Sequence, residues 1–179
     1  MSGTIEETVM EQDYVYKEIQ RFTQWWLWLI LVVLNLVFIY GFYKQVITGQ
    51  PVGDNPMSDT GVTVATLVSF LFSAFFYSLR LETLIKADGI YVRFFPFHLK
   101  FKHYPWSRIN RSYVRKYSAI TEYGGWGLRY GMFGKGTAFN VSGNHGLQLE
   151  FVDQKKLLIG TNNPKGLSSA LKAMGQLRD

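Results

Sequence analysis

The side chains with the best claim to chemistry lie in the C-terminal half of this 179-residue chain. Residues 123–136 read Y-G-G-W-G-L-R-Y-G-M-F-G-K-G, a glycine-rich stretch that invites a phosphate-cradling reading. The spacing argues against it. Gly125, Gly127 and Gly131 make G-x-G-x-x-x-G, one residue longer than the dinucleotide fingerprint. Gly134-Lys135 is followed by Gly136 rather than Ser or Thr, and Arg129 stands where a P-loop needs its first glycine. His98, His103 and His145 are too widely spaced for a metal-ligand set. The acids of this half are scattered singly, so no carboxylate pair for acid–base work is apparent, and no G-x-S-x-G nucleophile motif occurs. Cysteine is absent, which excludes disulfides and thiolate metal sites. The expectation is a non-enzymatic protein with no metal and no cofactor.

The positive signal is basic charge. Lys86 and Arg93 flank a turn, and Lys100, Lys102, Arg108, Arg111, Arg115 and Lys116 follow. Arg111 and Arg115 would share a strand face with Tyr113 and Tyr117. Residues 80–179 carry sixteen Lys and Arg against six acids, a net charge of +10. Such a surface suits anionic lipid headgroups, at about 1 kcal/mol per Lys or Arg close to a membrane. Generic electrostatics from membrane topology accounts for the same charge without specific recognition. Nucleic acid is not the expected partner, because no recognition helix or RNA-binding signature is present. The aromatic loop offers a second possibility. Its glycines either present Trp126, Tyr130, Met132 and Phe133, with Arg129, to a membrane or partner protein, or simply permit bends while the rings pack inward. A protein-interaction or self-assembly platform is the alternative function.

These residues must be positioned by the rest of the chain, which is organised around two apolar runs. Residues 25–43 and 62–79 contain no Asp, Glu, Lys, Arg or His. At 1.5 Å rise per residue they form about 27–29 Å of helix, close to the roughly 30 Å hydrocarbon core of a bilayer. The reading is a transmembrane hairpin over 25–79, with an outer loop at 44–61 that is rich in turn residues. Lys17 and Arg21 precede the first span, Arg80 and Lys86 follow the second, and only Lys44 lies between. Positive charge is retained inside, so both termini are expected in the cytoplasm. Trp25, Trp26 and Trp28 at one end, with Tyr40 and Tyr43 at the other, fit an aromatic belt. Asn35 sits mid-span opposite a small-residue stripe of Ala65, Ser69 and Ser73, which suggests packing within the hairpin, with a homodimer contact as the alternative.

Residues 1–24 are expected as a cytoplasmic segment with a short amphipathic helix, since Val15, Ile19, Phe22 and Trp26 fall at helical spacing. From residue 80 the period changes to two. Strands are expected near 81–87, 90–95, 99–103, 108–117, 137–141, 147–152 and 155–160, with turns at Asp88-Gly89, Ser142-Gly143-Asn144 and Asp153-Gln154. A C-terminal helix starts with Asn163 as N-cap and Pro164 at its first position. Its apolar face is Leu167, Ala170, Leu171, Met174 and Leu177. The fold class is α+β: a two-helix transmembrane hairpin, then an antiparallel barrel over 80–179, like a pleckstrin-homology domain, capped by that helix.

Several segments resemble an uncharacterised family of small bacterial two-span membrane proteins. They are Q-R-F-T-Q-W-W-L-W (20–28), G-D-N-P-M-S-D (53–59), L-E-T-L-I-K-A-D-G-I-Y-V-R-F-F-P-F-H (81–98), Y-V-R-K-Y-S (113–118), E-Y-G-G-W-G-L-R-Y-G (122–131), N-V-S-G-N-H-G-L-Q-L-E-F (140–151) and K-L-L-I-G-T (156–161). The architecture is also similar to membrane-anchored bacterial proteins with a domain like that of pleckstrin homology. The resemblance implies a fold and a place in the bacterial inner membrane. It supplies no catalytic residues.

Overall fold

A computed structural model describes residues 14–131 and 135–178. The described chain divides into two units, 22–78 and a second one built from 14–21 together with 79–178.

The first unit is the helical hairpin. Helix α1 spans Trp25–Phe42 and continues as a wider π-type turn over Tyr43–Ile47, and helix α2 spans Asp59–Ser78. The stretches Trp25–Ile47 and Asp59–Ser78 are long and apolar enough to cross a membrane, with mean hydropathies of 2.1 and 1.6. Helix α2 starts three residues before the expected apolar run. Ser58 Oγ accepts from Gly61 N at 3.1 Å, and Asp59 places a negative charge in the first turn, where the helix dipole favours it. The loop between the two helices is pinned by Gln45, a buried amide that donates to Met57 O (2.5 Å) and Asp59 Oδ1 (3.0 Å).

The second unit holds two open sheets. Strands β1 (Tyr16–Arg21), β2 (Arg80–Lys86), β3 (Gly89–Phe95) and β4 (Lys102–Pro105) form an antiparallel sheet in that order. The other sheet has the order β5-β8-β9-β7-β6, from β5 (Ile109–Lys116), β6 (Gly127–Tyr130), β7 (Thr137–Asn140), β8 (His145–Phe151) and β9 (Lys156–Thr161). Short helix α3 (Ala119–Tyr123) follows β5, and α4 (Pro164–Ala173) packs on β1, β5 and β8. Asn163 caps α4 through its side chain, and Leu167, Ala170 and Leu171 are its buried face. The core is filled by Leu81, Ile85, Ile90, Phe94, Leu147, Leu149, Ile159, Leu167 and Leu171.

Three expectations are corrected. The amphipathic helix at the N-terminus is strand β1, hydrogen-bonded to β2 from Tyr16↔Ile85 to Arg21↔Arg80. Period two turns Tyr16, Glu18 and Gln20 inward and leaves Val15 and Ile19 about half exposed. The inward groups are polar because they fasten the end of β9. Glu18 accepts from Thr161 Oγ1 (2.6 Å) and Asn162 N (2.7 Å), and the Gln20 amide donates to Gly160 O (2.6 Å). The domain therefore starts before the hairpin, not at residue 80.

The barrel is not closed, and one pairing is parallel. A meander would pair β7 with β8. Instead β9 lies between them, with Thr137↔Leu157 to Phe139↔Ile159 in parallel register. Residues 141–144 cross the end of β9 rather than folding back. Ser142 and Asn162 hydrogen-bond reciprocally there (2.9 and 3.1 Å), and Gly143 adopts φ +74°. The first hairpin turn also sits one residue early, at Ala87-Asp88, with Gly89 already in β3 opposite Lys86.

Candidate functional site

The eight basic residues singled out from the sequence do not form one set. Lys86 is buried (9% exposed), and its ammonium lies 5.4 Å from the Tyr91 ring centroid. Arg93 pairs with the buried Glu82 carboxylate at 2.8 Å and lies over the Phe101 ring, while Arg80 holds the other Glu82 oxygen at 2.6 Å. Arg115 donates to Gln148 Oε1 (3.0 Å), Glu122 Oε2 (2.9 Å) and Tyr123 Oη (3.3 Å). Each of these three is committed to structure: a buried cation needs a partner or a ring to offset its desolvation.

The exposed members are Lys100, Lys102, Arg108, Arg111 and Lys116. Arg111, Tyr113 and Arg115 share one face of β5, and β8 answers them with Glu150 and Gln148. Arg111 is 3.9 Å from Glu150, which also takes the Tyr113 hydroxyl (3.1 Å) and stands 3.6 Å from Lys156. Tyr117 is buried on the same side against Tyr123, Ala138 and Leu158. This face is thus a charged ladder in which acids answer part of the cations. Burial alone would raise the Glu122 carboxyl. Hydrogen bonds from Arg115 and Ser118 N, with the charges of Arg115 and Lys135, outweigh it and hold Glu122 below the ordinary carboxylate value.

In the aromatic loop, Trp126 is half-buried against the Tyr117–Tyr123 cluster, and its carbonyl accepts from Arg129 Nε at 2.9 Å. Tyr130 is 78% exposed on edge strand β6. Met132 and Phe133 lie outside the described residues. The three histidines are apart in role. His103 stacks on Tyr91 (4.2 Å) and reaches Asp88 at 3.3 Å. His98 accepts from Phe94 N and packs edge-on to Phe139, and burial with the Lys102 charge lowers its pKa. His145 opens β8. Among the described residues, no group of three His, Cys, Asp or Glu is placed to hold a metal ion.

In the hairpin, the Asn35 amide donates to Ser73 Oγ at 2.7 Å and its carbonyl accepts from Ser69 Oγ at 3.1 Å. Thr66, not singled out beforehand, joins this stripe by donating to Phe38 O at 3.3 Å, while Ala65 beside it is half-buried.

The family's sequence profile matches residues 7–176, nearly the whole chain. This chain belongs to DUF6141, a family of unknown function. No curated protein matches the sequence. What a DUF6141 chain does must therefore be argued from its residues. Sequence reasoning missed Lys155 and Lys156, which the β8–β9 turn brings near Lys102. Their only sequence signal was the turn itself, which carries no information about a strand fifty residues earlier.

Proposed function

We propose that this DUF6141 protein is a non-enzymatic, membrane-anchored module that rests its basic surface on anionic lipid. The observation that carries the reading is the insertion of an apolar hairpin between two paired strands of a basic domain. Leu29, Ile30, Val32, Val33, Leu36 and Val37 of α1 are all more than half exposed. A helix apolar on every side needs an apolar solvent, and a bilayer supplies one. Three residues join β1 to α1 and one joins α2 to β2, so the domain is held at the surface that the hairpin enters. The positive-inside bias supports a cytoplasmic surface, and the resemblance supports the inner membrane of a bacterium. Two sheets with a C-terminal helix also support a fold like that of the pleckstrin-homology domain, as an opened version of its barrel. Five exposed cations, Lys100, Lys102, Arg108, Arg111 and Lys116, would then face anionic headgroups.

The chain lacks cysteine, so one introduced thiol can be labelled selectively. The full chain, carrying Lys116→Cys with an environment-sensitive dye, is placed in nanodiscs of phosphatidylcholine with or without phosphatidylglycerol. Quenching by spin-labelled lipid should require phosphatidylglycerol. It should fall with salt and weaken in Arg108→Glu with Arg111→Glu. Equal quenching in both bilayers at low salt would overturn the reading. The alternative, a protein-interaction platform centred on the exposed Tyr130 of edge strand β6, would then take its place.

A further inference from the structure

Because the two sheets do not close, a gap remains where edge strand β4 meets the inner face of β6, β7 and β9. It is a cleft of about 200 Å³. Strand register makes its floor continuous: Leu128 pairs with Phe139, Tyr130 with Thr137, and Thr137 with Leu157. Tyr104 and Phe151, with ring centroids 5.5 Å apart, form the wall between the sheets. Lys102, Lys155 and Lys156 complete the lining, and among the described residues no acid is part of it. Lys155 pairs with Asp153 at 2.8 Å and Lys156 stands 3.6 Å from Glu150, both outside the cleft. Lys102 makes no ion pair among the described residues, and its ammonium lies 5.7 Å from the Phe139 ring centroid. An apolar aromatic floor under a lysine rim recognises one kind of ligand: an anionic group attached to a small carbon skeleton.

We infer that this cleft binds the phosphate ester headgroup of an anionic phospholipid, with the phosphate at Lys102 and Lys155 and the glycerol carbons over Phe139 and Leu157. The inference rests on the lipid-facing reading and adds a specific site to it. The volume supports a headgroup over acyl chains, since pockets that enclose a drug-sized ligand run to roughly 300–1,000 Å³. Inorganic phosphate would leave the apolar floor unused. His98 packs edge-on to Phe139 with ring centroids 5.3 Å apart, and burial, followed by the nearby Lys102 charge, lowers its pKa.

The test uses the full chain in a neutral detergent, without a bilayer, so surface leaning makes no contribution. Dihexanoylphosphatidylglycerol, dihexanoylphosphatidylcholine, glycerol 3-phosphate and inorganic phosphate are titrated calorimetrically. Saturable binding is expected for phosphatidylglycerol, weaker binding for glycerol 3-phosphate, and none for phosphatidylcholine. Lys102→Gln should weaken phosphatidylglycerol roughly tenfold, the scale of one charge-assisted hydrogen bond. Thr137→Phe fills the cleft without changing charge and should abolish binding, whereas Lys172→Gln on α4 should leave it unchanged. Undiminished binding in Thr137→Phe, or equal binding of phosphatidylcholine, overturns the site. Glycerol 3-phosphate binding as tightly as the lipid overturns the lipid source and assigns the cleft to a soluble phosphate ester. Arg108→Glu with Arg111→Glu removes surface leaning but lies outside the cleft, so it should retain this binding and keep the two readings separable.

Discussion

Arg21 and Arg80 lie opposite each other at the end of the β1–β2 pair, one immediately before the apolar hairpin and one immediately after it. The two chain connections to the helices therefore leave from a single strand end. The segment that precedes the helices and the segment that follows them belong to one sheet, and each is incomplete without the other.

A fragment of residues 80–179 should consequently behave poorly. It leaves β2, buried along most of its length, with an unpaired edge. Joining residues 14–21 to residue 80 through a short Gly/Ser turn should restore the edge, because Arg21 and Arg80 are already adjacent. Size-exclusion chromatography and thermal melts should show an aggregating fragment and a monomeric fusion with a cooperative transition. A well-behaved bare fragment would show that β1 is dispensable.

In the hairpin, the Asn35–Ser73 hydrogen bond is expected to couple the helices. A double-mutant cycle with Asn35→Ala and Ser73→Ala, read by unfolding in mixed micelles, should give a coupling of about 0.6–2 kcal/mol. A coupling of zero would mean that Asn35 is satisfied by the Leu31 carbonyl alone, to which it also donates at 2.7 Å.

Gly89 is required by close approach rather than by backbone angle. A Cβ there would meet the Tyr104 carbonyl, with His103 Nε2 and Pro105 Cα each at 2.8 Å. Gly89→Ala should push β4 away from β3 and destabilise the domain by about 1–3 kcal/mol, the usual cost of overpacking. Amide exchange should quicken along Lys102–Pro105 before the rest of the sheet, and uniform exchange would count against this account.

Acid should weaken the α3 region through Glu122. Its carboxyl titrates below its unfolded value, so its contribution is present at neutral pH and is lost as pH falls through the folded value. Melting temperature followed from neutral to acid pH should drop in the native chain. Glu122→Gln should lower the neutral-pH value and flatten the acid slope, since Arg115 and Lys135 lose a charged partner. An unchanged slope would assign the acid response to other carboxylates.

Local patterns announced much of this architecture. The absence of charge over 25–43 and 62–79 marks both helices, because hydrocarbon length and charge exclusion are properties of a single segment. Asn163-Pro164 marks the start of α4 for the same reason: a cap is a contact within one turn. Strands β2, β3, β5, β7, β8 and β9 were also legible from alternation, whereas β4 begins three residues later than the expected run at 99–103. Strand β1 was not, since Val15, Ile19, Phe22 and Trp26 mimic a helical face, while the inward side chains of the real strand are polar.

The sequence by itself determined two apolar helices, a basic β-rich remainder and a terminal helix, all of which follow from side-chain type and short-range spacing. Only the tertiary structure decided which cations are committed to structure. Lys86, Arg93 and Arg115 became structural because Tyr91, Glu82 and Glu122 come to them across strands and turns. It also decided that β9 separates β7 from β8 and that the sheets stay open, with Lys102 at the seam. Strand order and charge pairing depend on contacts between residues distant in the chain, and periodicity carries no record of which strand lies beside which.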